Sequence, residues 1–251
     1  MSDSNNKKVD FGFQDIPQED KASKVSEIFT KVAPKYDLMN DAMSLGMHRC
    51  WKQYLVRKIK IKPNYNICDI ASGTGDVALL MASKLGDGGH ITLSDINPEM
   101  LKIGRDKIFD KGLIKIADTV VANAESLPFD DNTFDVVTIA FGLRNVTDKK
   151  QALKEMYRVV KPGGKVFVME FSQPEDDLVK TLYDKYSFNI IPKLGEFLAN
   201  DYDSYQYLVE SIRRHPKQDI LRDWFYEVGF DECRVDNILT GIVAIHEGIK
   251  F

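Results

Sequence analysis

Cysteine is scarce in this chain. Cys50, Cys68 and Cys233 stand far apart among 251 residues, with no Cys-x-x-Cys pair and no spacing that suits a metal ligand set. Three scattered thiols suit a reducing cytoplasm better than a disulfide-stapled secreted scaffold. Long hydrophobic runs are lacking as well, none reaching roughly the 18 residues of a membrane-spanning helix. The opening MSDSNNKKVDFGFQ contains no apolar core, so no secretory signal is expected. Charge of one sign is also missing. Lys and Arg number 34 against 38 Asp and Glu, a net −4, which gives no drive toward nucleic acid. The four histidines, His48, His90, His215 and His246, are scattered, and no Ser-His-Asp, Cys-His or metal constellation has workable spacing. Internal repeats and low-complexity tracts are absent.

What remains is a globular balance, 43% apolar and 29% charged, at a length that suits one domain with a full central sheet. Residues 1–18 are polar, contain Pro17 and read as a mobile arm, with a single domain over 19–251. Within it, 19–62 reads as a helical cap. Ala22, Val25, Ile28, Phe29 and Val32 recur at helical spacing, and Pro34 closes that segment. The stretch KYDLMNDAMSLGMHRCWKQYLVRKI follows, with three methionines, Tyr36, His48 and Trp51. Such a stripe is ordinarily core; the alternative is a cap over a ligand pocket.

From residue 65 the rhythm becomes strand, turn, helix. NICDI (66–70), HITLSDI (90–96), a segment near 118–122, FDVVTIAF (134–141) and KVFVMEF (165–171) read as strands, with helices between them. Pro98 opens one of those helices, as proline prefers first-turn positions. The alternation predicts an α/β, Rossmann-like, mostly parallel sheet with right-handed crossovers and helices on both faces. DECRVDNI and GIVAIHEGIK read as a closing hairpin through Thr240-Gly241, which makes seven strands. An insertion at 174–215 interrupts this order. It carries seven aromatics within 183–207: Tyr183, Tyr186, Phe188, Phe197, Tyr202, Tyr205 and Tyr207. A core helix pair explains that density, and so does a lid over a bulky apolar substrate.

The chemistry concentrates at the strand ends. Asp69-Ile70-Ala71-Ser72-Gly73-Thr74-Gly75-Asp76 spans the first strand-to-helix turn, where Gly73 and Gly75 let backbone approach a ligand. Asp95, 22 residues after Gly73, ends the second strand and suits ribose hydroxyls. Gly73-x-Gly75-x-x-Ala78 also fits a dinucleotide fingerprint, so glycines alone decide nothing. The Asp76 carboxylate, expected close to a dinucleotide pyrophosphate, would repel it. S-adenosylmethionine carries an ammonium and a sulfonium instead, which favours that cofactor. Asn123-Ala124 ends the third strand, where it reads as an adenine contact or a turn. Phe141-Gly142-Leu143-Arg144-Asn145 follows the fourth, with Arg144 a surface charge or the holder of an anionic substrate oxygen.

FGFQ (11–14), KYDLMNDAMSLGMHRCWK (35–52), DIASGTGD (69–76), SDIN (94–97), ANAESLPFDDNTFD (122–135), FGLRNVTD (141–148), YRVVKPGG (157–164) and ANDYDSY (199–205) stand in order. Together they closely resemble the C-methyltransferases of ubiquinone and menaquinone biosynthesis, over nearly the whole chain. The glycine motif and KPGG mark only the class I methyltransferases; FGLRNVTD and the KYDLMND block are more specific. The resemblance implies methyl transfer from S-adenosylmethionine to a ring carbon of a polyprenylated quinol: demethylmenaquinol, a 2-methoxy-6-polyprenyl-1,4-benzoquinol, or both. It implies Thr74, Asp95, Asn123 and Ala124 as cofactor contacts, beside the Gly73 and Gly75 already read from the turn. Ser72 replaces a usual glycine, and Ala140 a frequent serine. Arg144 becomes the expected phenolate partner, with Tyr36 and His48 orienting quinol hydroxyls or relaying protons, and no metal. A protein on the inner face of the cytoplasmic membrane, in transient contact with it through 183–207, is the expectation. A homo-oligomer or association with other quinone-biosynthesis enzymes is left open. The rival readings are a class I methyltransferase for another aromatic or lipid acceptor, an NAD-dependent oxidoreductase and a non-catalytic S-adenosylmethionine-binding scaffold.

Overall fold

Apolar, β-branched runs flanked by turn residues fold here into strands buried on both faces. A computed structural model describes residues 7–44, 46–199 and 201–251. In chain order the strands are β1 (Lys8–Phe11), β2 (Gln14–Pro17), β3 (Asn66–Ile70), β4 (His90–Asp95), β5 (Ala117–Val121), β6 (Phe134–Ala140), β7 (Val160–Phe171), β8 (Glu232–Ile238) and β9 (Val243–Ile249). The last seven form one sheet in the order β5-β4-β3-β6-β7-β9-β8. All its pairings are parallel except those of β9 with β7 and β8. The chain runs outward from β3 through β4 to β5, then returns to β6 on the other side of β3. That reversal opens a crevice at the carboxyl ends of β3 and β6, where open α/β sheets bind ligands.

The helices are α1 (Gln18–Val32), α2 (Tyr36–Ser44), α3 (Met47–Ile59), α4 (Asp76–Ala82), α5 (Pro98–Asp110), α6 (Lys149–Val159), α7 (Asp177–Asn189), α8 (Ile191–Ala199), α9 (Tyr202–Arg214) and α10 (Gln218–Val228). One face of the sheet packs on α3, α4 and α5 through Leu55, Met81 and Leu101; the other packs on α6 and α10 through Leu153, Met156 and Phe225. Pro98 does open α5, and Asn97 caps it by accepting from the Glu99 and Met100 N–H groups. The KPGG turn is drawn into β7, whose pairing with β6 slips between Phe134↔Val160 and Val136↔Lys165. The expected closing hairpin is β8–β9, with β8 as the sheet edge.

The first 18 residues depart from a wholly mobile arm. Residues 1–6 lie outside the described residues, but β1 and β2 pair in register from Lys8↔Pro17 to Phe11↔Gln14. Side chains hold this hairpin in place. The Phe11 ring stacks on Tyr207 at 4.5 Å, Asp10 pairs with the fully buried Lys21 at 3.2 Å, and the Phe13 N–H donates to Glu210. The aromatics of 183–207 turn mostly inward. Tyr205 and Tyr207 are buried, and Arg213 lies over the rings of Tyr183 and Phe188. Tyr202 alone among the five of these named here is largely exposed.

Candidate active site

The crevice holds a cavity in two lobes, of about 100 and 410 Å³. The smaller lies over β4 and β5; the larger lies under α2, α3, α7 and α9. Tyr36, Ala71, Gly73, Ala140 and Phe141 line both. Ala71 and Phe141, at the ends of β3 and β6, adopt positive φ of 49° and 58°. Non-glycine residues in this region store strain, and such strain gathers at ligand sites.

The smaller lobe carries four of the residues expected to meet an adenosine, Gly73, Asp95, Asn123 and Ala124. Gly73 and Gly75 have φ of +56° and +81°, and a Cβ on Gly75 would sit 2.8 Å from Leu93 Cδ2. The Gly73 N–H donates to one Asp95 oxygen at 2.8 Å and the Asn97 N–H to the other at 2.9 Å. Burial pushes the Asp95 carboxyl up, while those backbone donors pull it down; the net displacement is upward. Each oxygen keeps lone pairs for ribose hydroxyls. Asn123 and Ala124 line this lobe as expected, and Asn123 is a turn residue too, its side chain accepting from the Glu125 N–H. Helix α1 roofs the lobe, held by the Asn97 amide, which donates to Ser26 and Thr30. Beside the glycine turn, Ser72 Oγ is buried and has no hydrogen-bond partner, an orphan that a bound polar group would satisfy.

Thr74 and Asp76 sit differently from expectation. Thr74 Oγ1 donates to Asp37 on α2 at 2.9 Å. Lys107 bridges Asp37 and Asp76, and Lys52 pairs with Asp76 at 2.9 Å. Burial pushes the Asp76 carboxyl up, yet the two lysines outweigh it and hold it below its ordinary value. Asp76 is therefore no bare carboxylate, and its charge alone does not turn a pyrophosphate away. The network instead clamps α2 onto the glycine turn.

The larger lobe is apolar with a few converging polar groups, the usual make-up of a small-molecule site. Trp51, Phe141 and Phe171 pack ring to ring within 6.3 Å. Arg144 lines it and is not a surface charge: it is 5% exposed and 2.7 Å from Glu170 Oε1. Glu170 Oε2 also accepts the Arg144 backbone N–H, and the guanidinium reaches the Phe141 carbonyl and the face of Phe171. Its buried Nε has no partner. Nothing in the spacing singled out Glu170, yet an acid inside the apolar strand KVFVMEF was the available signal, since a buried charge needs a partner.

Tyr36 lines both lobes and meets Phe29 edge-on at 6.1 Å. His48 is buried on α3, its Nε2 2.8 Å from Asp41, whose carboxylate Arg49 and His48 hold well below the usual range. Burial pulls the His48 imidazole down against the Asp41 hydrogen bond, which keeps it neutral near pH 7, with Nδ1 unpartnered. Asp69 at the end of β3 is pushed up to about 7 by burial, although Thr138 donates to it. Arg144, Tyr36 and His48 thus line one lobe, with Asp41 as the partner of His48 and Glu170 as the partner of Arg144, neither of which spacing revealed. No group of three or more His, Cys, Asp or Glu among the described residues could hold a metal ion.

Comparison with known proteins places this geometry. The model of the ubiE/COQ5 methyltransferase family matches residues 17–250. The chain is 50% identical to the ubiquinone/menaquinone biosynthesis C-methyltransferase UbiE of Marinomonas sp. over the whole of both chains. It is 54% identical to the protein of that name in Xanthomonas campestris pv. campestris, over 96% of this chain and 95% of the other. Among solved structures, an S-adenosylmethionine-dependent methyltransferase from Thermotoga maritima aligns over 90% of this chain and 99% of its own, with a TM-score of 0.63 at 19% identity. One from Aquifex aeolicus aligns over 78% and 88%, with a TM-score of 0.58 at 16% identity. These two share the fold.

Proposed function

The chain belongs to the ubiE/COQ5 methyltransferase family and is an S-adenosylmethionine-dependent C-methyltransferase of ubiquinone/menaquinone biosynthesis; from that premise we propose how its site acts and where it works. The acceptor is a polyprenylated quinol, held in the larger lobe, whose apolar walls suit a ring and the start of a tail. One observation carries this assignment of lobes. They share a wall at Tyr36, Ala71, Gly73, Ala140 and Phe141, so the reacting ends of two ligands meet there.

S-adenosylmethionine, when bound, supplies an electrophilic methyl group. Asp95, Gly73 and Asn123-Ala124 hold its adenosine end, and the turn through Thr74 and Gly75 carries Gly73 into place. Ala140 offers only a methyl group and its backbone, where a serine would add a hydrogen bond. A quinol ring carbon is a weak nucleophile until a neighbouring hydroxyl gives up its proton. Arg144 Nε, buried and unpartnered, stabilises the developing phenolate, and Glu170 fixes the guanidinium that carries it. His48, neutral and with Nε2–H donated to Asp41, offers Nδ1 as acceptor of the hydroxyl proton. Once the C–CH3 bond forms as the S–CH3 bond breaks, the displaced ring proton leaves to water and the ring becomes aromatic again, with Tyr36 orienting it. The trapping of ring and methyl donor about 3–3.5 Å apart supplies much of the rate.

Among the described residues no helix is long and apolar enough to cross a membrane. A polyprenyl chain nevertheless stays in the bilayer, at about 0.8 kcal/mol per buried methylene. The enzyme therefore meets its substrate at the membrane surface, on the cytoplasmic side. The deciding assay follows transfer of labelled methyl to a demethylmenaquinol with one isoprene unit and to the matching methoxybenzoquinol. Methylation of either supports the reading. Tight S-adenosylmethionine binding with turnover of neither would favour a different aromatic or lipid acceptor.

A further inference from the structure

Of the aromatics of 183–207, Tyr183 and Tyr186 line the larger lobe and Tyr205 and Tyr207 are buried, so apart from Tyr202 those described form no outer apolar face. Several exposed apolar side chains lie instead around the mouth of that lobe. Leu178 and Leu182, one turn apart on α7, are 69% and 59% exposed. Leu239, in the β8–β9 turn, is 46% exposed, and both Leu182 and Leu239 also line the lobe. The segment leading into α7 is tied to that turn: the Glu175 N–H donates to the Thr240 carbonyl and Asn237 donates to the Glu175 side chain. The leucines therefore belong to one rim.

The turn is costly in its own right. Leu239 and Thr240 have φ of +50° and +54°, consecutive left-handed residues before Gly241 at +96°. Side chains rarely adopt that backbone, so two in succession that present a leucine to solvent need a reason. Size supplies the second argument. A lobe of about 410 Å³ is near the lower end of the usual range for small-molecule pockets, roughly 300–1,000 Å³. It takes a quinol head and the first tail units, and the rest of a long prenyl chain has to leave past this rim.

We infer that Leu178, Leu182 and Leu239 form a bilayer-docking rim through which the prenyl tail passes between membrane and active site. This rests on the quinol reading above. The contact is apolar rather than electrostatic. Glu175–Lys185 carries four carboxylates (Glu175, Asp176, Asp177, Asp184) against Lys180 and Lys185, which repels anionic headgroups. Docking is thus expected on neutral phosphatidylcholine vesicles, without gain from anionic lipid and without reversal by salt.

The test uses the full chain and Leu178→Asp, a residue that does not line the lobe. Vesicle flotation, sedimentation velocity and turnover of one-isoprene demethylmenaquinol in solution are measured on both. Wild type should float with neutral vesicles, and the variant should partition about tenfold or more weaker, from the worth of burying one leucine. Turnover of the soluble quinol should be equal in both, while turnover of a long-tailed quinol in vesicles should fall with partitioning. Equal flotation of wild type and variant, or no flotation of wild type, overturns the rim. So does a wild-type dimer that Leu178→Asp dissociates, which would make a second copy the occupant. Flotation as expected without turnover of any quinol would leave the rim standing and remove the substrate reading.

Discussion

Replacing Arg144 with alanine perturbs two things at once, and the structure shows how to separate them. The guanidinium lies 2.7 Å from Glu170, with the two side chains 5% and 2% exposed. Removing it strands a buried carboxylate, a loss of about 3–5 kcal/mol in stability. The lower end applies here, because Glu170 keeps the backbone N–H groups of residues 144 and 171 as donors. If Nε also stabilises the phenolate, kcat should fall about 100- to 1,000-fold, as for loss of one preorganised donor. The double variant Arg144→Ala/Glu170→Gln resolves the two effects. Glutamine still accepts from the backbone but carries no charge, so most of the stability should return while kcat stays low. Methyl transfer to a one-isoprene demethylmenaquinol reports the rate, urea unfolding the stability and calorimetric titration the cofactor affinity, which should stay near wild type. Recovery of kcat in the double variant would refute the reasoning, because Arg144 would then serve only to neutralise Glu170. Arg144→Lys should rescue partly, lacking the planar fork.

Asp95→Ala should weaken S-adenosylmethionine binding roughly 10- to 100-fold in a calorimetric titration, from the loss of charged hydrogen bonds worth about 1.5–3 kcal/mol; an unchanged Kd would remove the ribose anchor. Gly75→Ala should lower unfolding stability by about 1–3 kcal/mol, since its φ is +81° and the new Cβ would meet Leu93 at 2.8 Å; an unshifted urea midpoint contradicts the strained turn. The Asp69 carboxyl is raised from 3.8 to about 7, so the native state holds a proton that the unfolded chain releases, and this contribution to stability is full below about pH 4 and lost as pH rises through 7. Relative to Asp69→Asn, wild type should therefore lose on the order of 4 kcal/mol between pH 4 and 8, and a pH-independent gap would show that Asp69 is ionised throughout.

The framework of the sheet was legible because its signals are local. NICDI and FDVVTIAF are short apolar runs with turn residues on either side, and a strand buried on both faces needs nothing else. The α5 start was legible for the same reason, from Pro98, while the Asn97 cap came from the structure. The N-terminal hairpin was not. Its strands are four residues each and mix apolar with polar side chains, and what holds them is Phe11 on Tyr207 and Asp10 on Lys21. The first of these contacts spans nearly two hundred residues, so no local window contains it.

The site divides along the same line, and the division concerns charge. The glycine turn at Gly73 and Gly75 and the acid at the end of β4, Asp95, could be read from position alone. Position alone suggests an Asp76 carboxylate that repels a phosphate, and an Arg144 that is either a surface charge or the holder of an anionic oxygen. Burial rules out free charges, because an ion taken from water needs a partner of opposite sign at hand. For Asp76 the partners are Lys52 on α3 and Lys107 on α5; for Arg144 the partner is Glu170 on β7. Each pair joins separate elements, so the net charge of the site emerges only when those elements assemble. The choice of S-adenosylmethionine over a dinucleotide thus agreed with the family while its electrostatic premise did not hold. Asp37 binds Thr74 and Lys107 together, which brings the cap down over the glycine turn and leaves the larger lobe as the space into which the reacting end of a ligand can extend.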